Sequence, residues 1–343
     1  MLALAGATTA TGVAASGATT HHSSTVTIGW DVPLISNPYW ALLQNFAEGA
    51  AKQFGIKLIT AQANTDDATQ ISQIQGFIAD KVNGMVVGPV DNTVGKTILS
   101  LAQKANIPLT FMQRLPGVNP SSYSSKIFVG YVGTDDQPGG ALAAKLLYAS
   151  GARKWVGMTG ALGNSVAVER LQGAQAFVKA HSAVSLLKVQ YGNEARSAGV
   201  TTMQDFLSEY PGPSFNGVWS FNDEGALGAI DALKKAGDLG KVKVVAIDGT
   251  VDGINAVANG QLVADVGGGD ACGAFALVEL YDFLHGHMPN KRVVNIPLIA
   301  VTKNNVAAYE SQVIKGAAHY DFKSVSATFT PGANTSDYVV KLH

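Results

Sequence analysis

Cysteine and charge are both scarce in this sequence. Cys272 is the only cysteine among 343 residues, so the chain can form neither an internal disulfide nor a cluster of cysteine ligands for a metal. We interpret it as a small buried hydrophobic residue. Charged residues make up 14% of the chain and the formal net charge is −1, without a basic stripe. This balance argues against nucleic acid or anionic lipid as the main partner, and it suits a neutral solute.

The familiar catalytic and phosphate-binding motifs are also missing. The sequence contains no HExxH, no GxxxxGK[ST] and no GxSxG. His285 and His287 lie close together, but no acidic cluster stands beside them, so we predict no metal site. The stretch Gly160–Ser165 could approach a phosphate, but it lacks a following lysine and we interpret it as a tight turn. We therefore predict a binding protein without catalytic residues, metal or cofactor.

The N-terminal segment has no basic residue, because the first lysine or arginine is Lys52. Residues 1–24 are at first apolar and small, and then rich in threonine, serine and histidine. They contain two parts of a secretory signal, an apolar stretch and a small-residue cleavage site around Ala14–Ser16, but not its basic start. A flexible leader on a cytoplasmic protein is the alternative. We favour the remnant of an export signal, which predicts a periplasmic or extracellular protein associated with the cell surface.

From Thr25 onward, short apolar runs alternate with helical segments. Most of these runs are continuous and do not alternate with polar residues, which is typical of parallel strands covered on both faces. No segment outside the leader approaches the length of about 20 apolar residues that a membrane span requires. Strands are predicted over Val26–Trp30, Lys57–Ala61, Met85–Val87, Pro108–Met112, Ile127–Val132, Trp155–Met158, Val184–Val189, Val218–Phe221, Val242–Ile247 and an extended Val293–Val301.

Helical periodicity fills the segments between these strands. In Pro38–Phe54 the apolar residues recur on one face of a helix, and Asn37 before Pro38 is typical of a helix start. Strands and helices that alternate at this spacing, in this number, indicate two sheets. We therefore predict an α/β protein with two doubly wound parallel-sheet lobes. Further helices are predicted over Asp67–Asp80, Thr93–Ala105, Pro138–Ala149, Ser165–Ala180, Thr201–Tyr210, Glu224–Ala236 and Ala271–Leu284.

Four local stretches, in order and at matching spacing, resemble the ribose-binding-protein family of periplasmic sugar-binding proteins. They are Ser36–Trp40, Gln113–Arg114, Asn222–Gly228 and Ala246–Thr250. The resemblance extends from about Thr25 to Thr302. It implies the type I periplasmic binding protein fold, in which a three-segment hinge joins the lobes. The implied hinge segments lie near Gly133–Asp135, Gly267–Gly269 and Leu298–Thr302. The implied domains are a leader (1–24), an N-terminal lobe (25–133 with 269–298) and a C-terminal lobe (134–268 with 299–343).

The resemblance also implies a function. Its members bind a monosaccharide or sugar alcohol between the lobes by hinge closure, and they deliver it to the membrane permease of an ATP-binding-cassette (ABC) importer. We expect the same of this chain, as a monomer with no nucleic-acid partner. The effector-binding core of a lactose-repressor-type regulator is the main alternative, but it would need a basic helix-turn-helix of about 50 residues at the N-terminus. A sugar sensor protein for a receptor, or an enzyme on the same fold, also remains open.

The resemblance points to nine ligand-binding residues. Aromatic rings suit the C–H face of a sugar, while amides, arginines and carboxylates suit its hydroxyls. A helix cap with two core aromatics, a surface salt bridge and an Asx turn are the structural alternatives for Asn37, Arg170 and Asp248 respectively. The predicted residues are Asn37, Tyr39, Trp40, Gln113, Arg114, Arg170, Asn222, Asp248 and Asp270.

The sequence departs from a ribose binder at several of the matching positions. Gln113 replaces an aspartate, Gly88 replaces an asparagine, and Gly268 replaces a hinge glutamine for which Asp270 could substitute. A stacking phenylalanine is replaced around Asn193–Glu194. Because polar side chains are lost while both arginines remain, we expect a pocket that is emptier at one end. A different pentose, a hexose or a linear polyol is therefore expected in place of ribose.

Overall fold

Strands and helices alternate along the chain as the apolar pattern predicted. The computed structural model describes residues 25–211, 214–316 and 319–342, so the predicted leader (1–24) lies outside the described residues. The strands are β1 Thr27–Val32, β2 Lys57–Gln62, β3 Gly84–Val87, β4 Leu109–Met112, β5 Phe128–Thr134, β6 Lys154–Met158, β7 Ser185–Gln190, β8 Gly217–Ser220, β9 Lys243–Ile247, β10 Ala264–Gly267, β11 Val293–Ile296 and β12 Ile299–Val301.

The helices lie between these strands and after the last of them. They are α1 Pro38–Phe54, α2 Asp67–Ala79, α3 Asn92–Ala105, α4 Asp136–Ala149, α5 Ser165–Ala180, α6 Arg196–Glu209, α7 Asp223–Ala236, α8 Val251–Ala258, α9 Cys272–Leu284 and α10 Val306–Tyr309. A π-helical turn, Glu310–Ile314, continues α10, and short 3₁₀ turns lie further on at Phe322–Val325 and Thr335–Asp337.

The strands form two six-stranded sheets. The first has the order β11-β5-β4-β3-β1-β2, and the second has the order β12-β10-β9-β8-β6-β7. Every pairing is parallel except that of β12 with β10, which is antiparallel. Strands β3, β4 and β8 are buried along their whole length, as expected for strands with helices on both faces. The predicted fold class, two parallel-sheet α/β lobes, is confirmed.

Three segments connect the lobes in the chain up to Val301. We call each sheet with the helices packed on it a lobe. The chain leaves the first sheet after β5 and enters α4, which packs on β8, β9 and β10. It returns between β10 and α9, because α9 packs on β3, β4 and β5. The third connection is the short link from β11 in the first sheet to β12 in the second.

The C-terminal tail corrects one part of the predicted domain division. Residues 299–343 were expected in the second lobe, but the turn Phe322–Val325 packs on α1 and α9 of the first lobe. Aromatic stacking explains the difference, since Tyr338 lies 4.9 Å from Phe275 between ring centroids and almost parallel to it. The Asp282 carboxylate also accepts hydrogen bonds from the tail, among them one of 2.6 Å from the Ser326 hydroxyl. Strand β12 and helix α10 therefore belong to the second lobe as predicted, whereas the described residues from Tyr320 onward lie on the first lobe and form no strand there.

Candidate functional site between the two lobes

A cleft lies between the two lobes, where loops and helix N-termini follow the carboxyl ends of the strands. It contains about 580 Å³ of space not filled by atoms, part of it open to solvent. Open α/β sheets commonly bind ligands at this edge. The lining residues are Pro33, Leu34, Asn37, Tyr39, Trp40, Thr65, Gln113, Arg114, Asn164, Val166, Arg170, Glu194, Phe221, Asn222 and Asp248.

The N-terminus of α1 forms part of the first-lobe wall. The Asn37 carboxamide oxygen accepts a 3.0 Å hydrogen bond from the Tyr39 amide and so caps the helix. Its NH₂ group lies 3.5 Å from the Glu194 carbonyl oxygen in the second lobe. Asn37 is therefore a helix cap, as the structural alternative held, and it also presents amide hydrogens at the cleft.

The Trp40 ring occupies space left free by Gly88. A Cβ atom at position 88 would lie 2.7 Å from the indole ring, closer than such contacts occur in proteins. At a position where the family resemblance implied an asparagine, this glycine thus makes room for an aromatic wall. The Arg114 guanidinium lies 5.5 Å from the centroid of the Trp40 ring.

Arg114 brings a positive charge into the cleft with most of its donors free. Its guanidinium donates one hydrogen bond, to the Val90 carbonyl oxygen, and the other guanidinium nitrogens have no hydrogen-bond partner among the described residues. Burial lowers the pKa of Arg114 to about 10, although Glu194 and Asp91 favour the charged form. The side chain therefore remains a cation near neutral pH, with N–H groups available to a ligand.

Arg170 has a different environment, in the floor of the second lobe. Its guanidinium donates 2.8 Å hydrogen bonds to the carboxylates of Asp136 and Asp248, and a 2.7 Å bond to the Phe221 carbonyl oxygen. Only 2% of the side chain is exposed, so this is a buried network and not a surface salt bridge. Burial alone would lower the pKa of Arg170, but the two carboxylates raise it, and the group stays charged.

Asp248 and Asn222 complete the second-lobe wall. One Asp248 oxygen bonds Arg170, and the other has only a 3.5 Å contact with the Asp223 amide, so it can accept from a ligand hydroxyl. Burial raises the pKa of Asp248 to about 7, and the charge of Arg170 opposes that rise. Asn222 caps α7 through a 2.9 Å bond from the Gly225 amide, while its NH₂ group lies 3.4 Å from the Glu194 carbonyl oxygen.

Eight of the nine predicted residues line the cleft, and Asp270 does not. Its carboxylate is fully buried and accepts a 2.8 Å hydrogen bond from the Tyr309 hydroxyl. Gln113 lines the cleft, but its amide group bonds the Thr134 hydroxyl and the Cys272 thiol. The polar groups of Asp270 and Gln113 therefore hold the hinge region together.

Sequence reasoning missed several lining residues, of which Phe221 and Glu194 matter most. Phe221 follows β8 directly, and an aromatic residue at the carboxyl end of a parallel strand was the available signal. Glu194 lies in the loop after β7, where its carboxylate accepts a hydrogen bond from the Ala161 amide. The family resemblance implies the loss of a stacking phenylalanine around Asn193–Glu194, and Phe221 supplies an aromatic ring to the same cleft.

Direct hydrogen bonds bridge the lobes across the cleft. Besides the Asn37–Glu194 contact, the Leu115 amide donates a 3.1 Å bond to the Ser165 hydroxyl. The structure therefore shows a closed arrangement of the lobes. No group of three or more histidine, cysteine, aspartate or glutamate side chains in the described ranges is arranged to hold a metal ion. None of the helices described there is both long enough and apolar enough to cross a membrane.

Two sheet lobes that close on a cleft at their carboxyl edges define the class of two-lobed solute-binding proteins. Within that class, the chain belongs to the periplasmic binding protein domain family, whose model matches residues 28–270. The family resemblance inferred from the four sequence stretches is confirmed.

Several relatives and solved structures are similar to this chain. The ribose import binding protein of Escherichia coli is 29% identical over 242 residues, which cover 70% of this chain and 78% of that protein. A solute-binding protein of Bacillus halodurans with bound myo-inositol is 26% identical, with a TM-score of 0.76 over 85% of this chain and all of that one. The arabinose-transporter binding protein of Shewanella sp. ANA-3, bound to L-arabinofuranose, is 26% identical, with a TM-score of 0.78 over 86% and 99% of the two chains.

Proposed function

We propose that this chain binds one neutral monosaccharide or sugar alcohol in the cleft and presents it to an ABC permease. One observation carries the proposal: donors and acceptors from both lobes that keep free hydrogen-bonding capacity meet in a single cleft, beside three aromatic rings. Arg114 and the side-chain amides of Asn37 and Asn222 can donate to sugar oxygens. The Asp248 oxygen that does not bond Arg170 can accept from hydroxyls. Trp40 and Phe221 offer flat apolar faces to the C–H bonds of the ligand.

The charges of the cleft favour a neutral ligand. Arg170 is compensated by Asp136 and Asp248, while Arg114 has Glu194 as its largest favourable electrostatic partner. No strong excess of one sign is therefore left to attract an anion or a cation. Ribose, myo-inositol and L-arabinofuranose, which the names of the similar proteins give as ligands, are all neutral and polyhydroxylated. Because the sequence also departs from the ribose-binding pattern, a pentose other than ribose, a hexose or a polyol suits this chain best.

Closure couples binding to transport in this proposal. A ligand that contacts both walls gains the second set of hydrogen bonds only when the lobes close, so it shifts the equilibrium toward the closed state. The permease would recognise that closed surface. The protein would act as an exported monomer. It would release its ligand unchanged, since binding a solute needs no activated nucleophile.

A thermal-shift screen tests the proposal. The purified protein is unfolded in denaturant, dialysed and refolded to remove bound ligand. It is then heated with D-ribose, L-arabinose, D-xylose, D-allose, D-galactose, xylitol and myo-inositol, with leucine and glutamate as controls. A ligand at about 100 times its dissociation constant stabilises the folded state by roughly 2.7 kcal/mol, which is easily seen. No shift with any sugar or polyol would refute the proposed function.

A further inference from the structure

Tyr309 lies directly at the second connection between the lobes. Its ring is completely buried at the end of α10. The hydroxyl accepts a 2.7 Å hydrogen bond from the Gly268 amide and donates a 2.8 Å bond to the Asp270 carboxylate. Gly268 and Asp270 both belong to the link from β10 to α9. One phenol group therefore holds two points of this hinge segment.

Two glycines make room for the phenol at this point. A Cβ atom at Gly249 would lie 2.4 Å from the Tyr309 hydroxyl oxygen, and one at Gly267 would lie 2.3 Å from it. Gly249 directly follows Asp248, which lines the cleft. Tyr309 thus packs behind the turn that carries a candidate ligand-binding carboxylate, as well as against the hinge. A movement of the hinge segment that displaces Tyr309 can therefore also displace the neighbouring turn and the Asp248 carboxylate.

The tail that carries Tyr309 makes a fourth connection between the lobes. Helix α10 and the turn Glu310–Ile314 pack on α8 of the second lobe. From Tyr320 onward the chain lies on the first lobe, where the Gln53 side chain bonds the Tyr320 carbonyl oxygen at 2.6 Å and the Phe322 amide at 3.0 Å. The family resemblance implied three connections. The described part of the tail therefore adds a connection that packs on both lobes.

We infer that Tyr309 is a positioning residue that fixes the second hinge segment in the closed arrangement and so prolongs the closed, ligand-bound state. The inference rests on the proposed function only for its effect on ligand. Opening the lobes must change backbone dihedral angles near Gly268, which has φ +96. We expect that rotation to move the Gly268 amide and the Asp270 carboxylate away from the phenol. Because these groups are buried, the loss of their partner opposes opening.

The hinge contact can be tested without any ligand. Tyr309→Phe removes only the hydroxyl and keeps the ring that fills the site. Tyr320→Phe is the matched control, because its hydroxyl bonds Val339 in the same tail, away from the hinge. We expect hydrogen exchange of the amides in 266–272 to become about tenfold faster in Tyr309→Phe and to stay at the wild-type rate in the control. Equal exchange in the two variants would overturn the inference.

Ligand release tests the functional half of the inference. Stopped-flow dissociation of myo-inositol, xylitol and L-arabinose is measured for the wild type and both variants. We expect Tyr309→Phe to release the bound sugar about tenfold faster with an unchanged association rate, and Tyr320→Phe to match the wild type. Faster hinge exchange without faster release would overturn the role in closed-state lifetime. If the wild-type protein binds no sugar, the proposed function fails, while the exchange experiment still decides the hinge contact.

Discussion

Arg114 and Arg170 line the same cleft, but their guanidinium groups have different hydrogen-bond partners. Arg170 directs its donors at Asp136, Asp248 and a backbone carbonyl, so it holds the second-lobe floor in place. The Arg114 guanidinium donates one hydrogen bond to a backbone oxygen and lies over the Trp40 ring. We infer that Arg114 contacts ligand directly, whereas Arg170 acts mainly by holding the carboxylate of Asp248.

Arg114→Ala should therefore weaken sugar binding more than it weakens the fold. We expect a loss of about 1.5–3 kcal/mol in binding free energy, the range for hydrogen bonds to charged groups. Titration calorimetry with the sugar from the thermal screen measures it. Arg196→Ala is the control, because Arg196 pairs with Asp231 on the surface and should leave affinity unchanged. Equal affinity for Arg114→Ala and the wild type would remove Arg114 from the site.

Asp31 gives a prediction about pH. Its carboxylate is buried in β1, one oxygen accepts a 2.8 Å bond from Gln70, and the other has no partner among the described residues. Burial raises the pKa of Asp31 to about 7, despite the bond from Gln70. The folded state therefore binds the proton more tightly than the unfolded chain does. The stability that this proton contributes is present below pH 4 and is lost as the pH rises to about 7.

Asp31→Asn removes this titration and keeps an oxygen that can accept from Gln70. Between pH 5 and pH 8, the unfolding free energy of the wild type should fall by on the order of 2 kcal/mol through this group, and that of the variant should not. Urea unfolding at the two pH values measures the difference. A difference between variant and wild type that stays constant with pH would show that Asp31 ionises normally in the fold.

At the scale of elements, local signals decided which helices and strands were predicted correctly. Helix α1 begins and ends at the predicted residues, because its Asn37 cap and its Pro38 are sequence neighbours. Strand β10 and helix α8 were not predicted. Ala264–Gly267 contains small residues and a buried aspartate, and it becomes a strand because β9 and β12 pair with it on either side.

The candidate site was predictable to a similar extent, and for a related reason. Residues directly after strands, such as Arg114, Asn222 and Asp248, could be placed at the cleft because parallel strands share one carboxyl edge. Asp270 could not be excluded, since its partner Tyr309 is distant in sequence and comes from the tail. The contact between Gly88 and Trp40 likewise depends on packing that no local pattern reports.

That contact predicts a strong effect of a small substitution. In Gly88→Ala, the new Cβ would lie 2.7 Å from the Trp40 ring, so the ring must move and the first-lobe wall with it. We expect sugar affinity to fall at least about tenfold, since a displaced wall loses several contacts. Gly76→Ala is the control, because a Cβ there meets nothing within 4 Å and a helix favours alanine. Equal affinities in thermal titrations of the two variants would contradict this role of Gly88.

At the scale of the whole molecule, the two lobes are held by more than the three-segment hinge that the family resemblance implied. The tail returns to the first lobe and buries aromatic rings there, among them Phe322 and Tyr338. The tail could not be placed from the sequence, because its short runs have neither helical nor strand periodicity. Its position follows from the apolar surface that α1 and α9 leave to be covered.

A disulfide across the cleft mouth can test lobe closure directly. Gly163 precedes α5 in the second lobe, and a Cβ atom there would lie 3.6 Å from the Cβ of Asp91, which caps α3 in the first lobe. This separation suits a disulfide. In Asp91→Cys/Gly163→Cys, oxidation with sugar bound should slow release of that sugar at least about 100-fold, because the lobes can no longer separate. Loss of the Asp91 cap should cost only about 1 kcal/mol of stability.

The reduced protein and the two single variants serve as controls for this lock. Native Cys272 is completely buried, so it should not compete for the new thiols. Mass spectrometry verifies the bond, and rapid dilution of protein loaded with labelled sugar measures release before and after dithiothreitol. Rapid release from fully oxidised protein would place the sugar outside the cleft or make closure unnecessary for holding it. Slow release that becomes fast again after reduction would tie the binding of this chain to the closed arrangement that the hydrogen bond between Asn37 and Glu194 already shows.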